Sequence, residues 1–246
     1  MTYASVNGRE TVRMVFLLAD LDELNILAGD IYNAYLNSET KEKILFCAGD
    51  EWRSNRGRII VIRRALHGLK YSALMWRNYI FDVIGNKLGF KSSLSDPDLW
   101  MKASTTSCGS KYYPYILVYV DNILIMYKDP SKPMETLRDN YTVKPLSIGE
   151  PKLYLGVDVN KLFYPDGLYA WAMGSTSYTK AAINNVKNVL ADHNPRSNKK
   201  LSDPLYTPMN PLSTQDYRSE LDVSNKCDDF LTSYFKNLIW VLRWIV

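Results

Sequence analysis

Histidine is almost missing from this 246-residue chain, which carries His67 and His193 and no other. There is no G-x-S-x-G elbow, no H-E-x-x-H helix and no G-x-x-x-x-G-K-[ST] loop, so serine-hydrolase, zinc-protease and P-loop chemistry find no support. Cysteine is scarce as well. Cys47, Cys108 and Cys227 are odd in number, widely spaced and without a C-x-x-C pair. That argues against a disulfide framework or a zinc site and for a reducing, intracellular setting. No apolar run reaches the roughly 18 residues of a membrane helix, and no signal-peptide pattern is visible, so no membrane partner is expected. Repeats and low-complexity blocks are absent. Charge of one sign is lacking too: 30 Lys and Arg face 26 Asp and Glu, a net +4. The pI near 8.8 is mildly basic, compatible with nucleic acid but weak as an argument for it.

What is plentiful is apolar and aromatic surface. The chain is 46% hydrophobic and 13% aromatic, enough for a sizeable core and against global disorder. Its 18 Tyr and 6 Trp exceed what a core needs and hint at stacking surfaces. Residues 10–24 put Val12, Val15, Phe16 and Ala19 on one side and read as a helix ending near Asn25. Residues 26–30 read as a short buried strand, 33–37 as a turn or helix start, and 44–48 and 58–64 as strands. Helical spacing over 73–88 ends at Gly89, a C-terminal stop. Residues 112–127 read as two antiparallel strands turning near Val120-Asp121.

The Pro130–Pro133 pair reads as a breaker ahead of a helix over 134–141. Leu153, Leu155, Val157 and Val159 alternate as in a strand, and Pro165-Asp166-Gly167 signals a turn into 168–173. Ser175 or Thr176 is placed to cap a helix carrying Ala182, Val186 and Leu190. Residues 191–220, rich in Pro, Ser, Asn and Lys, read as a linker. A last helix is expected from about Asp228. It runs into Trp244-Ile245-Val246, the pattern of a piece cut from a longer chain.

Two acids stand in apolar company. Asp121 interrupts the run 112–127, and Asp30 follows Ile26-Leu27-Ala28-Gly29. A carboxylate is costly to bury unpaired. Both positions make sense at exposed strand ends aimed at a metal, or else as ordinary loop aspartates. Two carboxylates on neighbouring strand ends are the minimum apparatus for holding two divalent cations over a phosphoryl transfer. The strand–helix–strand–strand order suits a split βαβ layout, an antiparallel sheet with helices on one face. There the strand ends meet although 91 residues separate the acids (121 minus 30).

Five segments then carry a resemblance. Gly29-Asp30-Ile31-Tyr32-Asn33-Ala34-Tyr35-Leu36-Asn37 resembles the first catalytic motif of copia-type retrotransposon reverse transcriptases. Ala65-Leu66-His67-Gly68-Leu69-Lys70 with Trp76 resembles their A-L-Y-G-L-K…W segment. Gly89-Phe90 with Ser95-Asp96-Pro97-Asp98-Leu99-Trp100 resembles G-F…S-D-P-C-L-F, Tyr119-Val120-Asp121-Asn122-Ile123-Leu124 resembles Y-V-D-D-I-L, and Tyr154-Leu155-Gly156-Val157 resembles F-L-G-I. The match covers roughly residues 10–190 in the family's order.

The resemblance implies an α+β right-hand polymerase palm with partial fingers and a thumb-like helical part. Residues 1–145 would be fingers and palm, 146–190 the palm's end and thumb, 191–220 a linker. Residues 221–246 would start a connection to a ribonuclease H domain that lies outside the chain, as does the start of the fingers. It implies RNA-directed DNA polymerase activity within a Pol polyprotein, on a template with primer and deoxynucleoside triphosphates. Asp30 and Asp121, with the Ile31 carbonyl, would hold two Mg²⁺ ions, Mn²⁺ being possible. One ion would activate the primer hydroxyl and the other neutralise the triphosphate.

Asn122 stands where the family has a second adjacent Asp. Losing one charge of three should weaken cation binding, so an impaired enzyme is expected, the other reading being tolerance because the third carboxylate is the least essential ligand. A catalytically inactive nucleic-acid-binding remnant, or a decayed fragment, is the alternative. Tyr35 would lie beneath the nucleotide sugar and exclude a 2′-hydroxyl, or else is a core tyrosine. His67 and Lys70 would line the nucleotide pocket, with Arg63 and Arg64 near phosphates or merely solvated. His67 departs from the family's Tyr. Trp171 and Met173 would touch the primer terminus or pack in the core. Lys180 and Lys187, with Arg196, Lys199 and Lys200, would meet the template–primer backbone or form a solvated face. Localisation in cytoplasmic particles and the nucleus follows from the family alone.

Overall fold

Apolar spacing accounts for most of the elements. In the computed structural model, which describes residues 7–193 and 228–243, the chain divides into two units: Met1–Lys152 with Val159–Met173, and Leu153–Asp158 with Gly174–Val246.

The first unit opens with α1 (Arg9–Leu21), which buries the stripe Val12, Val15, Phe16 and Ala19. Strand β1 (Asn25–Asp30) follows, then a 3₁₀ turn at Ala34–Asn37. The paired strands β2 (Glu39–Cys47) and β3 (Ile59–Arg64) come next. Helix α2 (Ser72–Asp82) continues into a wider π turn, Val83–Lys87, that keeps Val83 and Ile84 buried before Gly89 ends it at φ +71°. Strands β4 (Lys91–Ser92) and β5 (Leu99–Met101) lead to a minor ladder of β6 (Ser104–Thr105) and β7 (Lys111–Tyr112). The hairpin of β8 (Tyr115–Tyr119) and β9 (Asn122–Tyr127) precedes α3 (Ser131–Asn140).

The main sheet has the order β1-β9-β8-β5-β4 with antiparallel neighbours. One face presents Trp100, Ile116, Val118, Ile123 and Ile125 to Trp76, Ile80 and Ile84 of the helical segment 72–87 and to Met134 and Leu137 of α3. Each fully buried aliphatic side chain there contributes about 1.5–3 kcal/mol of transfer free energy. Residues of the opposite face, Ile26, Leu99, Tyr115, Leu117, Leu124 and Met126, are buried as well. Near-continuous apolar runs rather than strict alternation are the consequence of burying both faces.

The exposed edge of β1 is covered by residues 142–149. Tyr32 N–H donates to Thr142 O, Lys144 N–H to Asp30 O, and Ala28 N–H to Gly149 O, each within 2.8 Å. A 3₁₀ turn, Pro145–Ser147, interrupts this cover opposite the Asp30 N–H, and the Ser147 hydroxyl accepts that hydrogen bond instead at 2.8 Å.

Three expectations change, the third at the start of the helix Thr176–His193. Pro133 does not break the chain but sits buried in the first turn of α3, where a helix leaves its N–H groups without intrahelical acceptors. Residues 153–159 are not one strand. β10 (Leu153–Tyr154) folds back on the start of β11 (Val157–Phe163), pairing Leu153 with Asp158 and Tyr154 with Val157. The turn is made by Leu155 (φ +51°) and Gly156 (φ +79°). Apolar alternation cannot distinguish a straight strand from a tight hairpin. β12 (Tyr169–Gly174) follows the Pro165-Asp166-Gly167 turn, closed by Tyr164 N–H on Leu168 O at 2.8 Å.

In the second unit α4 (Thr176–His193) is capped by Asp158, whose Oδ2 accepts the Ser177 N–H at 2.7 Å, rather than by a side chain of Ser175 or Thr176. Asp228 caps α5 (Asp229–Arg243) through the Leu231 N–H. The Tyr234 hydroxyl of α5 donates to Asn185 Oδ1 of α4 at 2.8 Å. The linker expected over 191–220 falls, apart from its first three residues, outside the described residues.

Candidate active site

Strand register brings the two acids together. Asp30, the last residue of β1, is the direct partner of Asn122, the first of β9, and the Ile31 N–H donates to the Asp121 carbonyl at 2.8 Å. Asp121 occupies the two-residue loop between Tyr119 and Asn122, the closing pair of the β8–β9 hairpin. The other loop residue, Val120, has φ +56°. Positive φ costs a β-branched residue of order 1–3 kcal/mol and persists only where the surroundings enforce it. Trp76 supplies one restraint: its Nε1–H donates to the Val120 carbonyl at 2.6 Å, tying α2 to the loop that carries Asp121.

Gly29, just before Asp30, fills a tight spot. A Cβ there would lie 2.8 Å from Met134 Cε and 3.4 Å from Val143 Cγ1. The glycine lets α3 and residue 143 close onto β1, which sets the position of Asp30.

Around the two carboxylates lie one tyrosine and one lysine. Tyr35 is half-buried, and its hydroxyl pKa is raised, first by burial and then by the Asp121 charge. His67 is exposed, with its ring edge-on to Tyr35 at 4.5 Å between centroids, so it joins the site through that tyrosine. Lys70 points its ammonium over Tyr71, 5.3 Å from the ring centre. Arg63 is exposed on β3, and Arg64 Nη1 donates to the Asn37 carbonyl at 3.2 Å. Lys144 was not singled out from the sequence. Its ammonium is 2.7 Å from Asp30 Oδ1 and 2.8 Å from Oδ2, the latter in hydrogen-bond geometry. Its pKa is raised, chiefly by that hydrogen bond. Nothing in its local sequence marks it; only the edge cover over β1 places it.

Asn122 interacts with Asp121 directly, its Nδ2–H donating to Asp121 Oδ1 at 3.0 Å. A carboxylate at 122 could not make this bond. Among the described residues no three His, Cys, Asp or Glu side chains gather as a metal cluster. The donor set at this place is two carboxylates and an amide oxygen, hard oxygen ligands of the kind Mg²⁺ takes. Asp30 Oδ1 is buried and makes no hydrogen bond of its own, and its charge partner is the Lys144 ammonium at 2.7 Å.

The remaining candidates lie elsewhere. Trp171 packs edge-on against Phe16 at 5.9 Å, its backbone N–H donates to Asp20 Oδ2 at 2.9 Å, and Lys161 lies over its ring. Met173 is half-buried. Lys180 and Lys187 are exposed on α4. Arg196, Lys199 and Lys200 lie outside the described residues. In the 95–100 segment the acids have structural partners. Asp98 accepts from Arg77 Nε at 3.1 Å, and Asp96 accepts from Asn7 and the Gly8 N–H.

A family model described as "Reverse transcriptase (RNA-dependent DNA polymerase)" matches residues 1–193. An Arabidopsis thaliana protein named "Retrovirus-related Pol polyprotein from transposon RE1" is 28% identical over 179 residues, which cover 68% of this chain. The matched region spans 11% of that relative's length.

Proposed function

This chain belongs to the reverse transcriptase (RNA-dependent DNA polymerase) family, and from that premise we propose that it is the polymerase portion of a copia-type retroelement Pol polyprotein, impaired by Asn122. The observation that carries the reading is the register pairing Asp30 with Asn122 at the end of the sheet, with Asp121 on the adjoining loop. Residues 1–145 are then partial fingers and palm, 146–190 the palm's end and a thumb-like part, and 221–246 the start of a connection to a ribonuclease H domain. Partners are a template with primer, deoxynucleoside triphosphates and the rest of the polyprotein.

Asp30 and Asp121 would hold the cations, with the Ile31 carbonyl and the Asn122 amide oxygen as neutral ligands. Bound divalent ions would neutralise the triphosphate and lower the pKa of the attacking hydroxyl. Tyr35, lodged near Asp121, forms the floor on which a nucleotide sugar rests and crowds a 2′-hydroxyl. His67 supports the Tyr35 ring from its edge, and Lys70 has its charge within the same segment for phosphate. Asn122 acts twice against the site: it brings no charge, and its amide N–H occupies a lone pair of Asp121 that a cation needs.

Primer extension on an RNA template with Mg²⁺ tests this. Activity of the chain as it stands should be low, should rise by about tenfold or more in Asn122→Asp if the lost charge and the amide bond together cost over 1.4 kcal/mol, and should vanish in Asp30→Asn. Extension that survives Asp30→Asn would sink the mechanism. Asn122 also favours a second reading, a binding remnant without catalysis. Template–primer binding with no nucleotide addition even in Asn122→Asp would select it.

A further inference from the structure

Lys144 holds Asp30 through backbone and side chain together. Its N–H donates to the Asp30 carbonyl, its own carbonyl accepts the Ser147 hydroxyl at 2.8 Å, and that hydroxyl accepts the Asp30 N–H. The ammonium spans both carboxylate oxygens, at 2.7 and 2.8 Å. It thus fills the space in front of Asp30 that a cation would occupy. The side chain is 43% exposed, so its charged head can swing into water without opening the core. Asp121 adds attraction to the same ammonium.

We propose that Lys144 is a built-in competitor for divalent cations at Asp30, a tethered ammonium that holds the carboxylate until a metal ion displaces it. The proposal rests on the reading of Asp30 and Asp121 as the cation site. Its weight is larger here than with Asp at position 122. Two carboxylates and one ammonium leave a net charge of −1 to attract a dication, where a third carboxylate would leave −2. Release of Lys144 and entry of metal are then two sides of one linkage, and removing the ammonium must tighten metal binding.

The test is Mn²⁺ binding to the full 246-residue chain without nucleotide or nucleic acid, read from the electron paramagnetic resonance signal of free Mn²⁺. Lys144→Gln and Lys144→Met, either of which suffices if the other does not fold, are expected to tighten binding about tenfold, the lower end of what an opposite charge at this range does to a carboxylate. Lys144→Arg, which keeps the charge, should stay close to the unsubstituted chain, and Asp30→Asn should abolish the tight site. The Mn²⁺-induced rise in Tm should be larger in the two neutral variants. Affinity unchanged or weakened in both, with Asp30→Asn still damaging, overturns the role of Lys144 and leaves the cation site standing. Binding indifferent to Asp30→Asn, or undetectable in every variant, overturns the site and the inference together.

Discussion

Asn122 and Tyr35 show how much a single side chain decides. Asn122 differs from a carboxylate by one charge and one donor, and both differences fall on Asp121, 3.0 Å away. For the proposed cation site, each works in the same direction. Tyr35 is positioned by burial and by the neighbouring His67 ring, and it senses the Asp121 charge. Replacing it by Ala should raise incorporation of ribonucleotides relative to deoxyribonucleotides by roughly 10- to 100-fold, the scale on which pocket sterics discriminate. Competitive primer extension measures this, in the Asn122→Asp background if the unsubstituted chain is silent. An unchanged ratio would return Tyr35 to the role of a core residue.

At the level of elements, the site depends on how α2 and α3 close on the sheet. Trp76→Phe keeps most of the buried ring but leaves the Val120 carbonyl without its donor. The expected loss is about 1–3 kcal/mol, read from the urea midpoint. Gly29→Ala pushes a methyl against Met134 and Val143, and an overpacked core of this kind loses about 1–3 kcal/mol. Because the strain falls next to Asp30, Gly29→Ala should also weaken Mn²⁺ binding, whereas Trp76→Phe acts first on the loop of Asp121. In the second unit the Asp158 carboxyl is held below its ordinary range, mainly by hydrogen bonds from Ser177 and also by Lys180. Its capping contribution is therefore complete above the ordinary Asp pKa and is lost as pH falls through the lowered value. Helical circular dichroism should show α4 loosening over that acidic window, and Asp158→Asn should remove the dependence. Periodicity exposes the helices and the β8–β9 hairpin in advance. It misreads 153–159 because a hairpin and a strand can share one apolar alternation, and it misses Asp158 as a cap because the capping side chain comes from a different segment.

At the scale of the whole molecule, the proposed binding to template–primer is a question of charge. A net charge of +4 is modest, so binding to template–primer should come from local clusters of Lys and Arg. Affinity should fall steeply and log-linearly with salt, by about 0.7–0.9 decades per decade for every phosphate neutralised. A salt-independent affinity in a fluorescence-anisotropy titration would exclude this mode. The sequence by itself determined the helices and strands with clear apolar spacing, the two acids misplaced in apolar runs, and the missing charge at Asn122. All are legible because spacing and side-chain chemistry are local. The tertiary structure alone decided that Asp30 pairs with Asn122 in register and that Lys144, 114 residues further along, lands on the Asp30 carboxylate. Those outcomes depend on which strands neighbour each other and on which segment covers the edge of β1. Contacts of that range are set by the packing of the whole sheet, for which no short stretch of chain carries a pattern.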